Sequence, residues 1–131
     1  MYELSLLITS LLFGGMVLYS FGFAGFVFSA LPAETAGPLI RRAFPHFYLF
    51  CLACAALAGV LALTVDPVSG WILFAIALTV VPTRQILMPA INRATDAGQK
   101  TRFKLLHGVS VVVTLLHILG AGYVVVRLAT V

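Results

Sequence analysis

Charged side chains are scarce in this sequence. They make up 9% of the 131 residues, whereas 62% are hydrophobic; an ordinary soluble domain carries roughly 25% charged residues. A water-soluble fold of this size would have too little polar surface to stay dispersed. The hydrophobic residues form long runs separated by short polar stretches, a pattern typical of membrane-spanning helices. The composition therefore predicts one domain built inside the lipid bilayer.

Residues suited to catalysis are equally few. The chain has only four acidic residues, and we find no paired carboxylates, no nucleophile beside a base, no phosphate-binding loop and no zinc signature. We therefore expect no enzymatic activity. The net charge of +4 does not indicate a nucleic-acid partner, because the basic residues lie at predicted membrane ends without interleaved aromatic side chains.

Four hydrophobic segments are long enough to cross a bilayer. The first is uncharged for about 28 residues, or about 42 Å of helix, and must tilt in a hydrocarbon layer of roughly 30 Å. No Lys or Arg precedes it, so we expect it to be retained and not cleaved as a signal peptide. Prolines predict a connection at residues 32–43, a tight turn after Asp66 and a kink in the third segment. The prediction is an all-α, antiparallel bundle with spans at residues 4–31, 44–65, 71–91 and 103–128.

The distribution of basic residues predicts the orientation. Lys and Arg near membrane ends stay on the cytoplasmic side, and here they cluster at the first and third connections: Arg41, Arg42, Arg93, Lys100, Arg102 and Lys104. Only Arg127 lies near the opposite boundary, where Tyr2, Trp71 and Tyr123 provide the aromatic residues favoured at an interface. Both termini should therefore lie on the outer side.

Small residues predict how the helices pack, because membrane helices associate through close contact. The first span has Gly15, Gly22, Gly25 and Ser29, and the second has two rows at four-residue intervals: Cys51, Ala55 and Gly59, and Cys54, Ala58 and Ala62. These two spans should pack face to face. In such rows, Cys51 and Cys54 are expected to serve as small packing residues, although thiolates also bind soft metals such as copper(I).

Polar residues of the third and fourth spans provide the candidate site. One face of the fourth span carries His107, Ser110, Thr114, His117 and Ala121 at alternating three- and four-residue spacing, and this stripe should point into the bundle. Arg84 is the one charge well inside a span. It either serves as a structural group, with its stem reaching the head groups or paired with Glu34 or Asp96, or converges with His46 and His107 on an anion-binding pocket.

The histidines leave a metal hypothesis open. Neutral imidazole binds metals and haem, and four-helix bundles hold haem between facing helices. His107 and His117 are separated by about 15 Å of helix, so they cannot bind one metal together. A cross-helix pair of His46 and His107 remains the alternative for haem or copper.

Two segments carry a resemblance to a known family. Pro89 to Asn92, followed by Phe103 to Ser110, resembles the bacterial family called domain of unknown function 4149, which is similar to transmembrane protein 205 of animals. The resemblance covers the whole chain in layout and includes the aromatic start of the second span, Phe44 to Tyr48. It implies a four-span protein of the bacterial inner membrane. Thr114 stands where the family usually has asparagine.

The resemblance leaves several functions open. The animal relatives are linked with drug and metal-drug resistance, which implies handling of a small molecule, whereas other small four-span families of similar layout are associated with haem or copper. Our leading hypothesis is binding or transport of a small molecule or ion at His46, Arg84, His107, Ser110, Thr114 and His117. The alternatives are a haem- or metal-binding redox protein and a structural subunit of a membrane complex. Four helices make a small transporter, so we also expect self-association or a membrane partner.

Overall fold

Four helices contain nearly all of the chain. The structure is a computed structural model that describes residues 1–131. Its helices are α1 (Tyr2–Ala30), α2 (Ala33–Leu63), α3 (Pro67–Asp96) and α4 (Lys100–Ala129), and each is long and apolar enough to cross a membrane. The predicted all-helical fold with four spanning helices is confirmed.

The helices extend further than the predicted spans. Extended backbone at Leu31 and Pro32 ends α1, as expected of a residue that precedes proline. However, α2 starts at Ala33 and continues through Pro38 and Pro45, so most of the expected connection is helical. A membrane helix tolerates proline because other groups satisfy the backbone atoms that proline leaves free.

The connection between α3 and α4 is also shorter than predicted. Residues 92–102 were expected to form a polar loop, but only Ala97, Gly98 and Gln99 lie between the two helices. Gly98 has φ +66°, a left-handed conformation that glycine adopts without a steric cost after a helix. The basic residues of this region therefore lie on helical turns.

Two helices contain π-helical segments. In α3 the segment Thr83–Leu87 follows Pro82 directly, which confirms that this half of the helix is irregular. In α1 the segment is Leu18–Phe23, and nothing in the sequence pattern predicted it. Single π-turns inside helices occur frequently at functional sites.

Helices α1 and α2 pack together as expected, but partly through other residues. The Ser5 hydroxyl donates to the carbonyl of Ala58 over 3.4 Å, and a Cβ atom on Gly15 would lie 2.7 Å from the Phe50 ring. In contrast, a Cβ on Gly25 would meet nothing within 4 Å, and Gly59 lies against Phe74 of α3. The predicted small-residue contact therefore holds only in the first half of α1.

The cysteines lie in the core of the bundle. Cys51 and Cys54 are both free and buried, and they belong to one hydrophobic cluster with the neighbouring Ala55 and Ala58. This environment agrees with the expected packing role.

One end of the bundle is fastened by an ion pair. Asp66 is the N-cap residue of α3. Its carboxylate accepts hydrogen bonds from the backbone N–H and the hydroxyl of Ser69. The same carboxylate accepts hydrogen bonds from Nε and a terminal guanidinium nitrogen of Arg127 in α4, over 2.6 and 2.9 Å. The hydrogen bonds from Arg127 and Ser69 hold the pKa of Asp66 well below its usual range. We call this end of the bundle the Asp66 end.

The lowered pKa predicts how the Asp66–Arg127 pair responds to acid. A carboxylate whose pKa is depressed by folding stabilises the fold above its ordinary pKa of about 4, and this stabilisation is lost as the pH falls below that value. Asp66→Asn should therefore lower the melting temperature near neutral pH, and the difference from the wild type should shrink below about pH 4. Melting curves of both proteins in lipid nanodiscs measure this. A difference that stays constant with pH would contradict the assignment.

The opposite end of the bundle is loosely packed. Every buried residue of α4 lies at or beyond His117, and the first half of that helix has none. In α1, the residues after Met16 include only one buried side chain, Val27. The second half of α1 also makes few contacts with α4. Helices α1 and α4 therefore pack closely at the Asp66 end and separate toward the other end, which we call the Arg41 end.

Candidate ligand-binding cavity

The separation of α1 and α4 leaves a large cavity at the Arg41 end. Its volume is ≈ 810 Å³, within the roughly 300–1,000 Å³ typical of small-molecule sites. All four helices contribute to its walls, with α2 supplying the largest share.

The wall of the cavity is largely apolar and aromatic. The apolar side chains that line it include Phe21, Phe28, Ile40, Phe44, Ile91, Phe103, Val111 and Leu115. Beside it, the Tyr19 ring stacks on Phe47 with ring centres 4.6 Å apart, and Phe44 and Tyr48 pack on the same cluster. Through Tyr19, this aromatic cluster holds the π-helical segment of α1 against α2.

Charged residues line the rim of the cavity. Arg41 of α2 reaches Asp96 of α3, with guanidinium nitrogens 2.9 and 3.3 Å from the carboxylate oxygens, and it also approaches the carbonyl of Asn92. The side chains of this pair remain 39% and 64% exposed, so the pair contributes little stability. Its position matters more, because it connects α2 to α3 beside the cavity.

Two further charges lie on this rim without an ion pair. The structure contains only the Arg41–Asp96 and Arg127–Asp66 pairs, while Arg42 and Glu34 also line the cavity. Glu34 lies in the first turn of α2, where a negative charge is stabilised by the helix dipole. Arg42 has no comparable partner.

Helix α4 contributes polar groups to the same cavity. His107 stacks on Phe103, with ring centres 5.4 Å apart and planes 8° from parallel, which limits rotation of the imidazole. The Ser110 hydroxyl donates to the carbonyl of His107 over 2.7 Å. Thr114 lies one turn further along the same wall. The hydroxyl and imidazole groups therefore follow the length of the cavity.

Helix α1 adds one unusual polar atom. Ser20 belongs to the π-helical segment and lines the cavity, and its hydroxyl is the one buried side-chain oxygen or nitrogen without a hydrogen-bond partner. Leaving such an atom unpaired costs about 1–3 kcal/mol.

The structure assembles only part of the predicted site. His107, Ser110 and Thr114 line the cavity together, as the stripe on α4 suggested. His117 is buried deeper in the bundle, where its Nε2 lies 2.7 Å from the Thr79 hydroxyl of α3. The stripe therefore divides into a cavity-lining part and a part that joins α4 to α3.

The structure does not bring Arg84 and His46 to the cavity beside His107. Neither Arg84 nor His46 lines the cavity, and the side chain of His46 is exposed on the surface of the bundle. Arg84 donates to the carbonyl of Pro45 over 3.2 Å and to Gln85 over 2.9 Å, so it pairs with neither Glu34 nor Asp96. The rotation of α2 about its axis, which sequence periodicity did not reveal, turns His46 away from the cavity.

The positions of the histidines and cysteines also bear on the proposed haem or copper site. His107 faces the cavity and His46 does not, while the two cysteines lie in the core. No group of three or more His, Cys, Asp or Glu side chains is close enough to hold a metal ion. The haem and copper alternatives therefore gain no support from the arrangement of these residues.

Several cavity residues had no distinct functional signal in the sequence. In the sequence, Arg42 belongs to the basic cluster that predicts the orientation, although its position beside Arg41 on a helix is also compatible with a separate role. Ser20 and the aromatic residues of α1 gave no signal, because their placement depends on the π-helical segment.

Comparison with known proteins places the chain in a family without assigning a role. No curated protein and no solved structure matches it. The family described as Domain of unknown function (DUF4149) matches residues 7–100, a range that covers α1 from residue 7, all of α2 and α3, and most of the cavity wall. The chain therefore belongs to this family, as its motifs suggested.

Proposed function

We propose that this protein binds a small amphipathic molecule in the cavity at the Arg41 end. One observation carries the proposal: a cavity of ≈ 810 Å³ whose wall is apolar and whose rim is charged. An apolar wall with a few placed polar groups is the usual composition of a ligand site. The fit is to a molecule with an apolar body and a polar head, and the proposed role is non-enzymatic.

The proposal includes an orientation in the membrane. Contacts such as Ser5–Ala58 and Tyr19–Phe47 support antiparallel packing of α1 and α2. The Arg41 end carries most of the basic residues, which supports placing it at the cytoplasmic face of the bacterial inner membrane with both termini outside. The cavity would then open toward the cytoplasm and, between α1 and α4, toward the inner leaflet.

Transport is a larger step than binding. The cavity occupies one end only, and the Asp66 end is closed by the buried core. Movement of a ligand across the membrane would require this end to open or a second copy to complete the path. Self-association therefore remains a prediction, and binding is the activity to test first.

Filling the cavity tests the proposal. Thr114→Trp places a large ring on the cavity wall, whereas Leu116→Trp places the same ring on the outside of α4, where Leu116 is 61% exposed. A neutral long-chain alcohol with a photoreactive diazirine should label residues of α1 and α4 that line the cavity in wild-type nanodiscs. Thr114→Trp should reduce this labelling about tenfold or more, because crowding a packed site costs about 1–3 kcal/mol.

The Leu116→Trp variant is the control for the photolabelling experiment. Mass spectrometry of labelled peptides separates cavity positions from lipid-facing positions, and Leu116→Trp should leave the cavity labelling unchanged. Equal labelling of the cavity peptides in both variants, with normal folding, would overturn the proposal.

A further inference from the structure

We infer that the ligand carries an anionic head group and that Arg42 binds it, with His107 as a second donor. This inference rests on the proposed function and narrows the class of ligand. It follows from which rim charges already have a structural role and which do not.

The charges on the rim can be assigned one by one. Arg41 and Asp96 neutralise each other at 2.9 Å, and Glu34 stabilises the first turn of α2. Arg42 remains exposed and outside both ion pairs. A guanidinium that lines a cavity without a carboxylate partner is suited to bind a carboxylate or phosphate through two parallel hydrogen bonds.

The whole Arg41 end favours an anion. Its basic residues are Arg41, Arg42, Arg93, Lys100, Arg102 and Lys104, whereas its acidic residues are Glu34 and Asp96. Their summed field raises the local concentration of anions beside the cavity. Glu34 alone does not reverse this field.

His107 adds a second donor, from α4. Its ring is held against Phe103, and the Ser110 hydroxyl gives its hydrogen to the carbonyl of His107. Both His107 and Arg42 line the cavity, so an imidazole N–H group from α4 and the guanidinium from α2 are available to the same ligand. Donors from two helices define a place for the head group between them.

Exposed apolar residues provide a place for the apolar tail of the ligand. Phe21 and Phe28 of α1 are each 57% exposed, and Val111 and Leu115 of α4 are 42% and 41% exposed. All four line the cavity, on the two helices that separate at this end. An alkyl chain that enters between these helices would contact both pairs while its head group stays at the rim.

A competition experiment tests the anionic head group. The photoreactive alcohol labels the cavity of the wild type in phosphatidylcholine nanodiscs, and unlabelled competitors of one chain length, a carboxylate and an alcohol, are titrated against it. The carboxylate should compete at about a tenfold lower concentration, because hydrogen bonds to a charged partner are about twice as strong as neutral ones. Arg42→Gln should remove this preference, and Arg42→Lys should keep part of it.

A matched variant separates a local contact from the general field. Arg102 lies on the same end of the bundle but does not line the cavity, so Arg102→Gln should keep the preference for the carboxylate. Loss of the preference in Arg102→Gln to the same degree as in Arg42→Gln would overturn the assignment of Arg42.

The failure of this inference differs from the failure of the proposed function. Equal competition by carboxylate and alcohol, with labelling still sensitive to Thr114→Trp, would overturn the anionic head group and leave the binding site standing. Absence of any cavity labelling would overturn both. Nanodiscs containing phosphatidylglycerol distinguish the source: competition that depends on Arg42 supports a membrane phospholipid, and competition by the free carboxylate alone supports a single-chain amphiphile.

Discussion

Replacing Gly70 by valine should destabilise the bundle more than any surface substitution. A Cβ atom at this position would lie 2.6 and 2.7 Å from side-chain carbons of Leu63 and 3.0 Å from its backbone nitrogen. The side chain can move only in part and the backbone of α2 would have to shift. Overpacking of this kind costs about 1–3 kcal/mol or more. Unfolding in mixed micelles should show a clearly lower midpoint for Gly70→Val.

Gly14 provides the matched control for this experiment. It is also helical, but a Cβ there would meet nothing within 4 Å. Gly14→Val should therefore leave the unfolding midpoint close to that of the wild type, within the roughly ±0.5 kcal/mol of ordinary surface substitutions. If both variants lost equal stability, helix propensity and not the contact with Leu63 would explain the result.

The sequence predicted the role of Gly70 only in part. Asp66 and Pro67 correctly indicated a tight connection, because local turn chemistry depends on a few neighbouring residues, but Gly70, which was expected within this connection, lies in the first turn of α3. The close approach of Gly70 to Leu63 depends on how α2 and α3 cross, which is a tertiary property. For the same reason, the four hydrophobic spans were predictable and their helix ends were not.

In the candidate site, too, features within one helix were predictable from the sequence and contacts between helices were not. His107, Ser110 and Thr114 share a face of one regular helix, so their spacing was enough to place them together. Whether Arg84 and His46 meet His107 at one site depends on the relative rotation of α2, α3 and α4. Residue periodicity within one helix contains no information about that rotation, and the π-helical segments alter the register further.

The loose packing of the Arg41 end could not be predicted either. Small residues continue along α1 beyond Gly15, and the rule for membrane helices predicts continued close contact. In the structure, the π-helical segment Leu18–Phe23 interrupts the α-helical register, so Gly25 faces no neighbour within 4 Å. Two residues of this segment, Ser20 and Phe21, line the cavity.

Access of water to the cavity gives the second large expected effect. Ser110→Cys, in a chain whose Cys51 and Cys54 are replaced by alanine, should react rapidly with a charged, membrane-impermeant methanethiosulfonate reagent. Ser110 lies on the cavity wall near the rim, and the reagent requires an ionised thiol in contact with water. Leu116→Cys, on the exposed outer face of α4, should react about tenfold or more slowly because lipid surrounds it.

The side from which the reagent acts then tests the orientation. If the Arg41 end is cytoplasmic, Ser110→Cys reacts in inside-out vesicles and is protected in right-side-out vesicles, and a long-chain carboxylate slows the reaction by occupying the cavity. Reaction only from the outer side would reverse the proposed topology. Equally slow reaction of both cysteines would mean that lipid fills the space between α1 and α4, and the polar stripe of α4 would then serve packing instead of ligand binding.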